Sequence, residues 1–397
     1  MRQTERPRIC IAYDCLFPWT VGGAERWLTG LARFVAAEGF DVTYLTRLQW
    51  DDDAPPEIDG VRVVAVSPRD ELYREDGSRT LREPVRFGHG VLRHLRRHRR
   101  DYDLVHVHSF PYFGALGAGI ALRGTGIPIV VDWVEIWTRD YWRRYAGFAA
   151  GETGWFMQRR AARIPQHALI SSSLHERRLR ELGVNGGISR VSGLYDGEIE
   201  PRPRPAGAPP TVVFAGRHIP EKNVLCIPGV IAEARRAVPE LRAIVFGDGP
   251  DHDELRRRIA AMGLGDTIEV PGFVDKERID IAIGEATCLL LPSEREGYGL
   301  VVVEAAAKGT PSVVVAGPDN AAVELVEDGR TGFVAPTTSP ADLGDAIVSC
   351  VRSGEGLRAS TSAWANERGD SLTIGGSMRR VLGVYRELLS ARGGQRP

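Results

Sequence analysis

Short apolar runs alternate along the whole chain with stretches in which apolar residues recur every three or four positions. The runs read as strands buried on both faces. The periodic stretches read as helices that cover them, the signature of a parallel α/β sheet. In the first half the pattern predicts strands at Arg8–Tyr13, Asp41–Thr46, Val61–Val66, Leu104–His108, Pro128–Asp132 and Ala168–Ser171. Helices are predicted between them at Ala24–Glu38, Val85–Arg99, Tyr112–Arg123, Thr153–Ile164 and Leu174–Leu182. The segment 198–210, EIEPRPRPAGAPP, has five prolines and no apolar period, and reads as a linker. The strand–helix rhythm then restarts, with strands at Thr211–Ala215, Leu241–Phe246, Thr267–Val270, Thr287–Leu291 and Pro311–Val315 and a last helical pattern over Leu372–Leu389.

Two doubly wound domains are therefore expected. Residues 1–197 form the first, 198–210 the linker and 211–374 the second. A C-terminal helix, about 375–397, packs back on the first. The length of 397 residues agrees with two domains. Open sheets of this kind bind ligands beyond the carboxyl ends of their strands, so two of them facing each other would enclose a central cleft with the motifs at strand ends.

Composition narrows the function. The net charge of −1 argues against a general nucleic-acid binder, although residues 1–196 carry +4 and the remainder −5. Five scattered cysteines without a CxxC spacing read as small apolar residues in a reducing compartment. The N-terminus shows no signal-peptide pattern and no run is a membrane span, so the protein is expected in the cytoplasm. Only three of the 51 basic residues are lysines: Lys222, Lys276 and Lys308.

The strongest chemistry lies in LLLPSEREGYGLVVVEAAAKGTP. An apolar strand ends at Ser293, a glycine-rich turn follows, and a helix starts near Leu300. Backbone N–H groups of such a turn form an anion site suited to phosphate. Glu296 precedes the turn and Glu304 lies one helical turn inside. The two carboxylates can accept from sugar hydroxyls on either side of a diphosphate. Glu304 has valines and alanines on both sides, and a glutamate there needs a partner.

VVFAGRHIPEKN puts Arg217 just after a strand and Lys222 five residues on, two cations suited to a diphosphate that gains charge as it leaves. Gly22–Glu25, GGAE, follows the first strand, and its tandem glycines let a ligand approach the backbone. His106 and His108 alternate in one strand and so point to one face, with His108 at the carboxyl end.

The Glu-x7-Glu spacing around EGYGL resembles the retaining glycosyltransferases of family 4, which have the GT-B fold, two Rossmann-like domains facing a cleft. The resemblance covers nearly the whole chain, and it implies that the first domain lies on the acceptor side and that the second binds the nucleotide sugar. It implies that Glu296 contacts donor-sugar hydroxyls, that Gly297, Tyr298, Gly299 and Leu300 cradle the diphosphate, and that Glu304 binds the ribose diol. Tyr298 stands where phenylalanine is commoner. Arg217 and Lys222 match the family's cationic element, Gly22 and Gly23 its donor and acceptor loop, and His108 a histidine near the transferred sugar. Gly247, in GDGP, and Phe273 and Val274, in PGFVDK, match segments near the nucleotide and base. The usual NGVD is replaced by GLYD, Gly193–Asp196.

The resemblance implies a nucleotide-diphosphate sugar donor, UDP first and GDP second, and no protein nucleophile. The acceptor is a hydroxyl of a glycan, a lipid-linked sugar or a small natural product. A nucleotide-sugar epimerase of the same architecture and a two-domain sugar- or nucleotide-binding protein are the alternatives. The DxD pairs at Asp101 and Asp103 and at Asp251 and Asp253 sit before a strand and at a helix start, so no essential metal or cofactor is expected.

The stretch Asp132–Phe156 holds four of the eight tryptophans with Arg139, Arg143 and Arg144 interleaved. It reads as core packing, as the wall of an acceptor pocket, or as a peripheral contact with the inner face of a membrane. Asp132, Trp133 and Glu135 of this stretch, with Glu25 of the GGAE loop, are the candidates for acceptor contacts. The run Arg93–Arg100 reads as a solvated helix face or as a site for anionic lipid headgroups.

Overall fold

The apolar runs become strands because each buries both faces: every residue of LVHVH, IVVDW, CLLL and SVVV is buried. A computed structural model describes residues 6–51, 54–70, 80 and 82–393. The last four residues of the expected 375–397 helix lie outside the described ones. The strands are β1 Arg8–Ala12, β2 Asp41–Arg47, β3 Val61–Ser67, β4 Leu104–His108, β5 Ile129–Trp133, β6 His167–Ile170, β7 Ile188–Arg190, β8 Thr211–Ala215, β9 Arg242–Phe246, β10 Ile268–Gly272, β11 Cys288–Leu291, β12 Arg295–Glu296, β13 Ser312–Val315, β14 Asp319–Asn320 and β15 Gly332–Ala335. The helices are α1 Gly23–Ala37, α2 Arg82–His98, α3 Phe113–Ala121, α4 Arg139–Ala146, α5 Phe148–Ala162, α6 Ser173–Glu181, α7 Ile227–Ala234, α8 His252–Ala261, α9 Lys276–Glu285, α10 Leu300–Ala307, α11 Pro340–Arg368 and α12 Ile374–Gly393.

The chain divides into two compact units. The first takes the described residues up to Ser171, His175–Val191 and the chain from Met378 onward. Its sheet is parallel in the order β3-β2-β1-β4-β5-β6-β7. The amphipathic helix α1 buries Trp27, Leu28, Leu31, Ala32 and Val35, one face at helical spacing. From α12, Tyr385 puts its hydroxyl 2.5 Å from His106 Nδ1 in β4, Arg386 pairs with Glu38, and Arg392 donates to Asp103 O.

The second unit comprises Ser192–Ser377 with Ser172–Leu174, and its main sheet is parallel in the order β10-β9-β8-β11-β13-β15. A small ladder pairs β12 with β14. The switch points, where the order reverses, fall between β1 and β4 and between β8 and β11.

The chain passes from the first unit to the second at Val191–Ser192, ahead of the Pro-rich segment 198–210. The guanidinium of buried Arg358 holds the segment on the second unit. It donates to Arg204 O at 2.6 and 2.9 Å and also to Ala286 O and Gly284 O. Glu200 N and Gly207 N donate to Ala307 O and Glu285 O. GLYD is likewise tied to this unit: Tyr195 is buried, donates to Leu372 O and accepts from Ile374 N.

Candidate active site

In the second unit the motif loops meet at the carboxyl ends of β8, β9 and β11. The loop after β8 is stitched to the GDGP turn: Gly216 N donates to Phe246 O, His218 N to Asp248 O and Asp251 N to His218 O. Gly247, at φ 118°, fits because a Cβ there would lie 1.9 Å from Gly216 O. Gly247 N in turn donates to Gly272 O, which fixes the start of the Phe273–Val274 segment. Phe273 is 90 % exposed, a ring free to stack, while Val274 packs on the core.

Arg217 is exposed, and its guanidinium has no hydrogen-bond or ion-pair partner among the described residues. Lys222 ends a single helical turn, Pro220–Lys222, closed by Asn223 in the left-handed region at φ 51°. Its ammonium contacts Glu296 Oε1. Glu296 is held by the β12–β14 ladder, opposite Asn320.

Buried Asn320 was not singled out from the sequence. Its amide donates to Ser293 O and Val315 O at 3.0 and 2.8 Å, and its carbonyl accepts from Ala322 N. It thereby ties the end of β11 to the end of β13. Its place in GPDN after an apolar run is a turn signal that sequence reading could have used.

The turn Gly297–Leu300 leads into α10. Gly299 caps the helix at φ 94°, ψ 52°, and a Cβ there would come 2.7 Å from the Ala322 Cβ. Both facts demand glycine. Tyr298 turns its ring into the core, where its hydroxyl has no hydrogen-bond partner among the described residues and burial raises its pKa. What it offers a ligand is backbone. Leu300 is exposed at the first helical position. Glu304 is half-buried. Burial raises its pKa, Lys276 lowers it, Asp280 raises it and Lys308 lowers it.

The second cluster lies in the first unit, at the ends of β1, β4 and β5. Gly22 is the extended N-cap of α1, and Glu25 folds back over it so closely that a Cβ on Gly22 would meet Glu25 Oε2 at 2.4 Å. A carboxylate there complements the positive end of the helix. A Cβ on Gly23 would meet nothing within 4 Å, which leaves open space beside the helix end. His108 is buried against the Tyr13 ring at 4.7 Å, and its Nδ1 donates to Phe110 O at 2.7 Å. Its Nε2 has no partner among the described residues.

His106 behaves as a core residue. It is fully buried on Tyr385, and burial pushes its pKa down to about 3. Asp132 is also buried and accepts from Trp27 Nε1 at 2.6 Å. Burial raises its pKa, against the lowering influence of His108 and of the Trp27 bond. Trp133 overturns an expectation. It is fully buried, its indole donates to Gln166 Oε1, and it belongs to the core. Glu135 is half-buried and accepts from Trp137 Nε1.

The remaining aromatics of 132–156 divide the same way. Trp142 is core, while Tyr145 and Phe148 are exposed. Arg139 and Arg143 both bond Glu152, which offsets their charge. Of the DxD pairs, Asp103 is taken by Arg8, and Asp251 caps α8. Among the described residues no group of three or more His, Cys, Asp or Glu side chains could hold a metal ion, and no helix is long and apolar enough to cross a membrane.

Comparison with known proteins adds to this geometry. Residues 22–191 match the model of the Glycosyl transferase 4-like domain, and residues 197–367 that of Glycosyl transferases group 1. The chain is 32% identical over 182 residues to an alpha-D-kanosaminyltransferase of Streptomyces kanamyceticus, covering 45% of this chain and 46% of that one. It is 28% identical to a D-inositol 3-phosphate glycosyltransferase of Streptomyces scabiei, covering 81% and 76%. The match thus spans about half the length, or less, of the first curated relatives. The solved structure of Anabaena Alr3699/HepE in complex with UDP and glucose aligns with a TM-score of 0.66 over 94% of this chain and 99% of that one, at 18% identity. At that identity the likeness shows the fold alone: two parallel-sheet Rossmann-like domains of GT-B type.

Proposed function

We propose that this chain, a member of the GT4-like glycosyltransferase family, moves a sugar from a nucleotide-diphosphate sugar to an acceptor hydroxyl with retention of anomeric configuration. The observation that carries this reading is the glycine turn opening α10, with the Lys222–Glu296 contact before it and Arg217 free of any protein partner among the described residues. The turn's N–H groups and the two cations suit a diphosphate, and Glu296 suits the hydroxyls of the sugar attached to it.

In the reaction the bond from the anomeric carbon to the diphosphate oxygen breaks and a bond to the acceptor oxygen forms on the same face. The leaving oxygen takes the acceptor's proton, so no protein nucleophile is needed. Arg217 and Lys222 take up the charge that develops on the leaving group, which makes the transfer metal-independent. His108, through Nε2, lies beside the transferred sugar. Phe273 stacks on the base, and Glu304 holds the ribose.

UDP is the first choice of nucleotide, supported by the complex of the Anabaena protein, and GDP the second. The acceptor class we favour is a small polyol, since the Streptomyces scabiei relative is named for D-inositol 3-phosphate. Glu25 and Glu135 are its contacts. We place the protein in the cytoplasm, with Tyr145 and Phe148 as its point of peripheral membrane contact.

The test is a thermal-shift screen of UDP- and GDP-sugars, followed by transfer assays in excess EDTA with the product's anomeric configuration read by NMR. We expect stabilisation by one nucleotide family and a retained product with EDTA present. No stabilisation by any nucleotide diphosphate overturns the reading. An inverted product, or activity abolished by EDTA and restored by Mg²⁺, removes the corresponding part of the mechanism.

A further inference from the structure

Of the three lysines in this arginine-rich chain, Lys222 is engaged with Glu296. The other two meet in one cluster. Lys276 opens α9 and reaches Asp280, one turn on, at 2.7 Å. Lys308 follows the last residue of α10, one turn beyond Glu304, so these two side chains lie on one face of that helix. Its ammonium is 3.7 Å from the other oxygen of Asp280. Asp280 thus bridges two ammonium groups from two helices that pack together.

Lys308 is only 9 % exposed, and its ammonium makes no hydrogen bond among the described residues. Burying an ammonium without an acceptor is costly. The carboxylate of Glu304, equally without a hydrogen-bond partner among the described residues, lies on the same helix face.

We propose that Lys276 and Lys308, bridged by Asp280, are positioning residues that keep the Glu304 carboxylate ionised for the ribose hydroxyls of a bound nucleotide. The inference rests on the reading of Glu304 as the ribose-binding group. The two carboxylates and two ammonium groups balance. Removing either lysine leaves a net negative charge, and a half-buried carboxylate answers by taking up a proton. The further charges named around it are acidic: Asp196 acts on Lys276, and Glu198 and Glu200 act with Asp280 and Glu304 on the Tyr195 hydroxyl.

The sign follows. Burial already lifts Glu304 above its ordinary range, so its grip on a hydroxyl is full at high pH and fades as the pH falls through that raised value. Loss of a lysine moves the fading to higher pH.

The experiment measures the affinity of the full chain for UDP and for 2′-deoxy-UDP by calorimetry between pH 5.5 and 8.5, with the guanosine pair in their place if UDP does not bind. One charge-assisted hydrogen bond corresponds to a preference of about ten- to a hundred-fold for the ribonucleotide. Glu304→Gln should lose that preference at every pH. Lys308→Met and Lys276→Met should lose it near pH 6 and recover it toward pH 8.5, a recovery that a packing defect does not produce. Lys276, 64% exposed, keeps the test open if Lys308→Met fails to fold.

A preference unchanged in both lysine variants, or lost equally at all pH values, overturns the proposal while Glu304→Gln still upholds the ribose reading. A preference that survives Glu304→Gln overturns the ribose reading itself, and the proposal with it.

Discussion

Arg217 and Lys222 differ in how the fold holds them, and that difference is testable. Arg217 is exposed without a protein partner among the described residues, whereas Lys222 is already engaged by Glu296. If both neutralise a leaving diphosphate, their contacts strengthen as the glycosidic bond breaks. Steady-state kinetics should then show kcat falling by about 10²–10³ for Arg217→Ala or Lys222→Ala, with a smaller rise in KM. Arg217→Lys should rescue only in part, because an ammonium cannot reproduce the fork that grips two oxygens. The double variant should be less damaged than the product of the singles, since both act on one group. Wild-type kcat with weakened donor affinity in both singles would reduce the pair to docking. Residue types at strand ends were legible in the sequence, because cations after an apolar run and glycines before a helix carry their geometry with them. Trp133 was not. Its five-residue strand is buried on both faces, and an aromatic at such a position is core whatever its neighbours suggest. Asn320 escaped because its partners, Ser293 and Val315, come from strand ends that only the folded sheet brings together.

At the scale of elements, the long buried runs were readable and the short ones were not. Three-residue β7 and the GFVA of β15 give no pattern to count, and the two-residue β12 and β14 exist only as each other's partners. The helix α4, RDYWRRYA, hid inside an aromatic stretch although Thr138 caps it by accepting from Tyr141 N, a start signal present in the sequence. The anchoring of the Pro-rich segment by Arg358 was not legible either, because composition reports what a chain cannot do, form a helix, and not what its carbonyls accept. The docking of α12 makes a prediction of its own. Tyr385 is the partner of buried His106, so Tyr385→Phe leaves an imidazole nitrogen unsatisfied without changing the packing. Denaturant unfolding should show a loss of about 1–3 kcal/mol, the range for one orphaned buried polar group. No loss at all would mean that the bond contributes nothing net to holding α12.

For the whole molecule, both units repeat one plan: strand order reversing beside the first strand, and motif residues at that reversal. Each unit has hydrophobic clusters of its own among the described residues: one draws on residues between Cys10 and Ile188, and two on residues between Leu194 and Leu372. Most groups proposed to touch the donor, from Arg217 to Glu304, belong to the second unit, as does the Pro-rich segment that Arg358 ties to it, while Gly22 and Gly23 of the expected donor loop belong to the first. A unit with its own closed core and its own ligand groups should stand alone. The fragment 192–377 should therefore fold and bind UDP within about ten-fold of the full chain, a difference of about 1.4 kcal/mol. It should transfer no sugar, because His108 and the proposed acceptor contacts stay behind in the first unit. Calorimetry and a transfer assay on the same fragment decide the matter. If the fragment folds but UDP binds more than a hundred-fold more weakly, the first unit supplies binding groups that the division of labour argued here leaves out.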